Sequence, residues 1–137
     1  MSLFVDTSVW YAAADSGDRS NARAKETLAV GESLLTTDHI LVETWLLLRF
    51  RLHRAAAETF WEGLRGGVAA IEPVNAADLE SARAMGLDFP DQDFSIADRT
   101  SFAVMLRLGV HRAATLDDDF AVFRFGKNKS RAFEIVR

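Results

Sequence analysis

Four carboxylates occupy positions where a charge is costly: Asp6, Glu43, Asp98 and Asp117. Asp98 is the most informative. On a helix it shares a face with the residues three and four positions away, Phe94, Ser95, Ser101 and Phe102. That face is due to be buried, and an unpaired buried charge is usually capped, ion-paired or bound to metal. The same stretch, Ser95-Ile96-Ala97-Asp98, also has the form of a capping box, which would satisfy a helix N-terminus without any metal. Asp6 closes the apolar run Leu3-Phe4-Val5, whose brevity fits a buried parallel strand. The carboxyl end of such a strand is where open α/β sheets bind ligands, although Asp6 could also serve only to cap the helix that follows. Glu43 has Ile40, Leu46, Leu47 and Phe50 at helical spacing, with Arg49 or Arg51 as candidate ion-pair partners. Asp117 opens the cluster Asp117-Asp118-Asp119 directly after a strand expected around residues 112–116.

If these four acids converge, the chemistry is narrow. Oxygen ligands without thiolate or imidazole suit Mg²⁺ or Mn²⁺ rather than zinc. The chain has no cysteine, and His39, His53 and His111 show no metal-ligand spacing. Two unit charges about 4 Å apart repel by about 4 kcal/mol at an effective dielectric of about 20. Gathered carboxylates therefore require a cation or shared protons. A divalent cation in such a site supports phosphodiester hydrolysis by activating water and stabilising the leaving oxygen.

The elements that would bring the acids together alternate along the chain. After the first strand, Thr7 or Ser8 can cap a helix that begins at Val9, and a turn follows at residues 15–18. Residues 21–30 read as a helix stopped near Gly31, and 34–37 as a second strand. Asp38 is placed to cap a long helix through about Leu52, so rich in apolar residues that it reads as largely enclosed. A helix over 54–65, a strand over 68–71, and a helix opened by Asn75 with Asp78 and ended at Gly86 come next. Ser95 and Gly109 bound the helix carrying Asp98, and residues 132–136 can form a last strand. This alternation predicts an α/β fold: a mainly parallel sheet of about five strands with helices on both faces. The length of 137 residues and 49% hydrophobic content fit one domain over 1–137.

The absence of cysteine is compatible with a reducing cytoplasm. No apolar run approaches the roughly 20 residues needed to span a membrane, and the opening residues lack a basic segment before their short apolar run, so a cytoplasmic location without membrane attachment is expected. The net charge of −4 conceals an asymmetry. Of the 16 basic residues, Arg124, Lys127, Lys129, Arg131 and Arg137 fall in 124–137 beside a single acid, Glu134. Local cations of this kind, Lys127, Lys129 and Arg131 above all, can hold a polyanion beside an acidic site. A solvated charged tail would read the same way.

The ordered set of Val5-Asp6-Thr7-Ser8-Val9, Glu43 within its helix, the stretch from Asp93 to Met105, and Ala114-Thr115-Leu116-Asp117-Asp118-Asp119-Phe120 resembles the successive motifs of PIN-domain ribonucleases, in particular the VapC toxins of bacterial toxin–antitoxin pairs. The likeness runs over essentially the whole chain. It implies a Mg²⁺-dependent endoribonuclease with Asp6, Glu43, Asp98 and Asp117 as the acidic quartet, Asp6 and Asp98 as foremost metal ligands, and Glu43 orienting a water or a second cation. It further implies that Ser8, Ser101 and Thr115 orient water or metal, that the protein is a homodimer acting on RNA, and that a small antitoxin blocks the site. Asp119 departs from the commoner pattern, in which another residue, often His, precedes the Phe, and this leaves open which of Asp117 and Asp119 is the fourth acid. Two other readings share the same residues: a PIN nuclease that processes RNA without an antitoxin, and a metal-binding α/β module without turnover.

Overall fold

A computed structural model describes residues 2–137. The chain runs β1 (Ser2–Val5), α1 (Thr7–Ala14), α2 (Asn21–Leu28), β2 (Ser33–Thr37), α3 (Asp38–Arg51), α4 (Arg54–Arg65), β3 (Ala70–Glu72), α5 (Ala76–Asp88), α6 (Ile96–Leu108), β4 (Arg112–Ala114), α7 (Asp119–Val122) and β5 (Glu134–Val136). The five strands form one sheet in the order β3-β2-β1-β4-β5, every neighbouring pair parallel. The expected α/β architecture is therefore present.

Side chains alternate across a strand, so a strand buried at every position has both faces covered. Leu3, Phe4 and Val5 are all fully buried, which places β1 at the centre of a sheet clad by helices on both sides. The chain builds outward from β1 through β2 to β3, then returns to the other side for β4 and β5. The reversal falls between β1 and β4, paired Phe4 to Ala113 and Val5 to Ala114. In a parallel sheet, the crevice beyond the carboxyl ends at such a reversal is where ligands bind. Asp6 and Asp117 both follow those ends.

An aromatic cluster fixes the element that carries Asp98 against the loop that carries Asp119. Phe102 of α6 meets Phe120 edge-on at 4.9 Å and stacks on Phe123 at 4.3 Å. Phe102 and Phe120 are wholly buried. Aromatic pairs of this geometry contribute about 0.5–1.5 kcal/mol beyond their buried area. They hold the chain after β4 in one position relative to α6.

Several local expectations are corrected. The α1 helix begins at Thr7, with Asp6 at its N-cap position but making no side-chain cap bond; Thr7 and Ser8 lie inside the helix. Thr37, not Asp38, caps α3, its hydroxyl accepting from the Ile40 N–H, while Asp38 Oδ1 accepts from the N–H groups of His39 and Val74. Nor is α3 enclosed: only Ile40, Thr44 and Leu48 are buried, and Val42, Leu46 and Phe50 are 55%, 44% and 76% exposed. Gly86 does not end its helix; α5 continues to Asp88. The physical reason for glycine there is close packing, since a β-carbon would stand 2.1 Å from Arg99 Nη1. Arg99 in turn donates to the Phe94 carbonyl at 3.0 Å and to Ala82 O at 3.4 Å, fastening α6 to α5.

Candidate active site

Asp6 is 2% exposed at the end of β1. Its Oδ2 accepts hydrogen bonds from Ser8 Oγ and Thr115 Oγ1, each at 3.0 Å. Thr115 follows β4, so these bonds tie the two strand ends together. The Thr115 hydroxyl also lies 3.3 Å from Asp117 Oδ1, and a hydroxyl has one proton to give, so it serves one carboxylate at a time. Ser8 is held by the Leu116 N–H, which donates to its Oγ at 2.9 Å.

Asp98 is 9% exposed and does two things at once. The capping box is real: Ser95 N–H donates to Asp98 Oδ2 at 3.2 Å, and Asp98 N–H donates to Ser95 Oγ at 3.0 Å. Yet burial, and after it the neighbouring Asp119 and Asp6 carboxyls, disfavour the charged form of the same carboxyl. Helix capping and participation in an acidic centre are thus not alternatives.

Burial is the first cause of strain here. It pushes Asp6 up from the ordinary 3.8 to about 7, with the nearby Asp117 charge adding to it. Asp98 is pushed up to about 8 by burial, then by Asp119 and Asp6. Asp117 is raised by burial and by Asp119. Asp78 provides an internal contrast. It is equally buried, at 3% exposure, but Arg107 donates to both of its oxygens at 2.9 Å and holds its carboxyl below the usual range. A buried acid that serves structure in this protein has an arginine; Asp6 and Asp98 have other carboxylates.

Glu43 is half-buried on α3, and Thr7 Oγ1 donates to its Oε1 at 2.6 Å. Among the described residues it forms no salt bridge with Arg49 or Arg51. Asp6, Ser8, Glu43, Asp98, Asp117 and Asp119 line one cleft of about 510 Å³. The acids influence one another across it: Asp117 raises Asp6, Asp119 and Asp6 raise Asp98, and Asp119 raises Asp117, in each case after burial. Among the described residues no three acids or histidines stand close enough together to hold a metal ion as they are placed here.

Other expected residues lie elsewhere. Ser101 is fully buried and donates to the Ala97 carbonyl at 2.7 Å, a bond within its own helix. Lys129 Nζ donates to Asp88 O and lies 4.4 Å from the Phe89 ring centre, while Arg131 packs on Phe125 and reaches His111. Neither they nor Lys127 line the acidic cleft, whose basic members are Arg19 and Arg51. Sequence reasoning missed those two and the Thr7–Glu43 bond. Thr7 was visible beside Asp6, but only as a cap; nothing in the local sequence around Arg19 or Arg51 signals that they share a cleft.

The donor set fits a hard divalent cation. It is all oxygen, it brings several carboxylates to one cleft, and it leaves Asp6 and Asp98 with repulsion that a cation would relieve.

Comparison with known proteins agrees with this picture. The family described as PIN domain matches residues 3–126. The 23S rRNA-specific endonuclease VapC20 of Mycobacterium tuberculosis is 37% identical over 125 residues, covering 90% of this chain and 95% of that protein. The crystal structure of VapC20, described as a Sarcin-Ricin loop cleaving toxin, superposes with a TM-score of 0.82 at 35% identity over 87% of this chain and 92% of the other. VapBC2 from Rickettsia felis, crystallised with a promoter DNA fragment, matches at TM-score 0.66 but 11% identity, a likeness of fold alone.

Proposed function

The chain belongs to the PIN-domain family, and on that premise we propose that residues 1–137 form one nuclease unit, a divalent-metal-dependent endoribonuclease that acts as the toxin of a toxin–antitoxin pair. The observation that carries the reading is the pair of buried acids, Asp6 and Asp98, lined up in one cleft at the reversal of a parallel sheet and lifted to about 7 and about 8 by burial first and by neighbouring carboxylates second. Mg²⁺, with Mn²⁺ as substitute, would be held by Asp6, Asp98 and Asp117. When bound, such an ion neutralises phosphate charge and acidifies water.

The protein's own residues do the rest. Ser8 and Thr115 donate to Asp6 and fix the orientation of its carboxylate. Glu43, steadied by Thr7, has acceptor positions left to orient an attacking water and take its proton. Asp117 and Asp119 both line the cleft, which supports counting both in the acidic centre.

The substrate we propose is RNA, with 23S rRNA first to be assayed because of the 37% identity to VapC20. Purified protein should cut it with Mg²⁺ and not in EDTA, and Asp6→Asn should be inactive; metal-independent cutting, or none at all, would refute the reading. A small antitoxin is the proposed inhibitor, and a homodimer the proposed state. The exposed apolar residues Val42, Leu46 and Trp61, which with Leu41 and Trp45 line a groove on α3 and α4, support a dimer. A monomer by light scattering at working concentrations would exclude it.

A further inference from the structure

The cleft is not lined by acids alone: Arg19 and Arg51 share it, Asp18 standing next to Arg19. Along α3, Glu43, Leu47 and Arg51 line it at intervals of four residues, so Arg51 stands two turns, or about 12 Å of helical rise, beyond Glu43. From the opposite wall α1 contributes Thr7, Ser8 and Tyr11. Arg51 lies with its guanidinium carbon 5.4 Å from the Tyr11 ring centre, a cation–π contact that pre-orients the guanidinium. Tyr11 is itself anchored, its hydroxyl donating to Asp15 Oδ2 at 3.0 Å.

The second arginine comes from the turn between α1 and α2, and that turn is braced. Asp15 Oδ1 accepts from Gly17 N–H at 3.0 Å, Asp18 Oδ1 from Ser20 N–H at 2.8 Å, and Asn21 Nδ2 donates to Ala12 O at 2.8 Å. Arg19 therefore projects from a fixed loop into the same cleft as Arg51. Neither guanidinium enters a salt bridge among the described residues. Arg107 and Arg112 bind carboxylates of the fold, whereas Arg19 and Arg51 stand on the wall of a cleft suited to an anionic substrate.

We propose that Arg19 and Arg51 form a phosphate clamp that holds the RNA strand to one side of the scissile phosphate, with Tyr11 as the platform that aims Arg51. This rests on the reading of the acidic residues as an RNA-hydrolysing centre. The clamp gives the cleft a direction: the strand enters over the arginines, and the phosphate roughly one or two nucleotides further reaches Asp6 and Asp98. Guanidinium forks suit phosphate oxygens bidentately, so the contact positions the strand without reading its sequence.

The test uses the Asp6→Asn protein in EDTA, so that binding is read without cleavage, and a fluorescent single-stranded RNA oligonucleotide of mixed sequence across a salt series. Arg19→Gln and Arg51→Gln should each weaken binding and lower the slope of log Kd against log salt by about 0.7, and the double variant by about twice that. Arg51→Lys should restore the slope while recovering only part of the affinity, and Tyr11→Ala should weaken binding with little change of slope. In the otherwise intact enzyme the arginine variants should raise KM more than they lower kcat, with the Mg²⁺-dependent rise in Tm unchanged. An unaltered slope in the double variant, beside normal metal-dependent cleavage by the wild type, would overturn the clamp and leave the nuclease reading standing. Absence of RNA binding by the parent protein would overturn both.

Discussion

Asp98 shares the cleft with Asp119, and burial first, then the Asp119 and Asp6 carboxyls, favour its protonated form. The folded protein without metal therefore retains protons that the unfolded chain has already lost. Asp98 titrates near 8 and Asp6 near 7 in the folded state, against 3.8 when unfolded. Between those values the native state binds more protons, so the metal-free protein loses stability as pH rises from about 4 through about 8. A divalent cation binds the deprotonated form and opposes this loss. Thermal unfolding should thus show a lower Tm at about pH 8 than at about pH 5.5 in EDTA, and a Mg²⁺-induced increment that grows over the same interval. A Tm in EDTA that rises with pH would contradict the assignment.

Replacing either buried acid by its amide separates function from folding. Asp6→Asn and Asp98→Asn are each expected to cut RNA hydrolysis by at least about a hundredfold. In EDTA both should be as stable as the wild type or more so at neutral pH, because an amide enters the buried site without the proton uptake that a carboxyl needs there. For Asp98 the cap survives, since an amide oxygen can still accept from Ser95 N–H. Marked destabilisation of Asp98→Asn without metal, with cleavage retained, would mean that the residue only caps α6.

Thr7 offers a test of how Glu43 is oriented. Thr7→Val keeps the shape of a 5% exposed side chain and removes the donor to Glu43 Oε1. The expected result is a fall in kcat of roughly tenfold, in the range seen for groups that steer a site residue. The Mg²⁺ effect on Tm should persist, and Thr7→Ser should recover most of the rate. Equal loss of activity in the serine variant would point instead to the methyl group and its packing.

Gly86 and Arg99 are expected to be strongly coupled. In the wild type, Gly86→Ala forces the guanidinium off its carbonyl partners, at a cost of about 1–3 kcal/mol that outweighs the roughly 1 kcal/mol gained from helix propensity. In an Arg99→Ala background the same change should become stabilising by up to about 1 kcal/mol. Chemical denaturation of the four proteins in this cycle measures the coupling, and the absence of a sign reversal would show that Arg99 yields freely.

Much of this was legible in sequence. The short apolar run before Asp6 and the strand before Asp117 announced two parallel strand ends, and Ser95 with Gly109 bounded α6, where Gly109 adopts φ 68°. The misreadings share a cause. Local sequence registers residue type but not what comes to lie opposite it. Val42, Leu46 and Phe50 look like core in a row of letters and are surface in space. Gly86 reads as a stop, while its reason lies thirteen positions away in Arg99. That Asp98 and Asp119, and Arg19 and Arg51, line one cleft depends on tertiary packing that no window of sequence contains.

The pairing of β1 with β4 also has a meaning in time. A ribosome delivers Asp6 among the first residues and Asp117 and Asp119 more than a hundred residues later. Until β4 inserts beside β1 and Phe120 seats against Phe102, the acids have nothing to face, however well the earlier helices have formed. Such long-range strand pairing is among the slower events of folding. The acidic centre is therefore complete only once residues 112–120 are in place, after every element through α6 has been made.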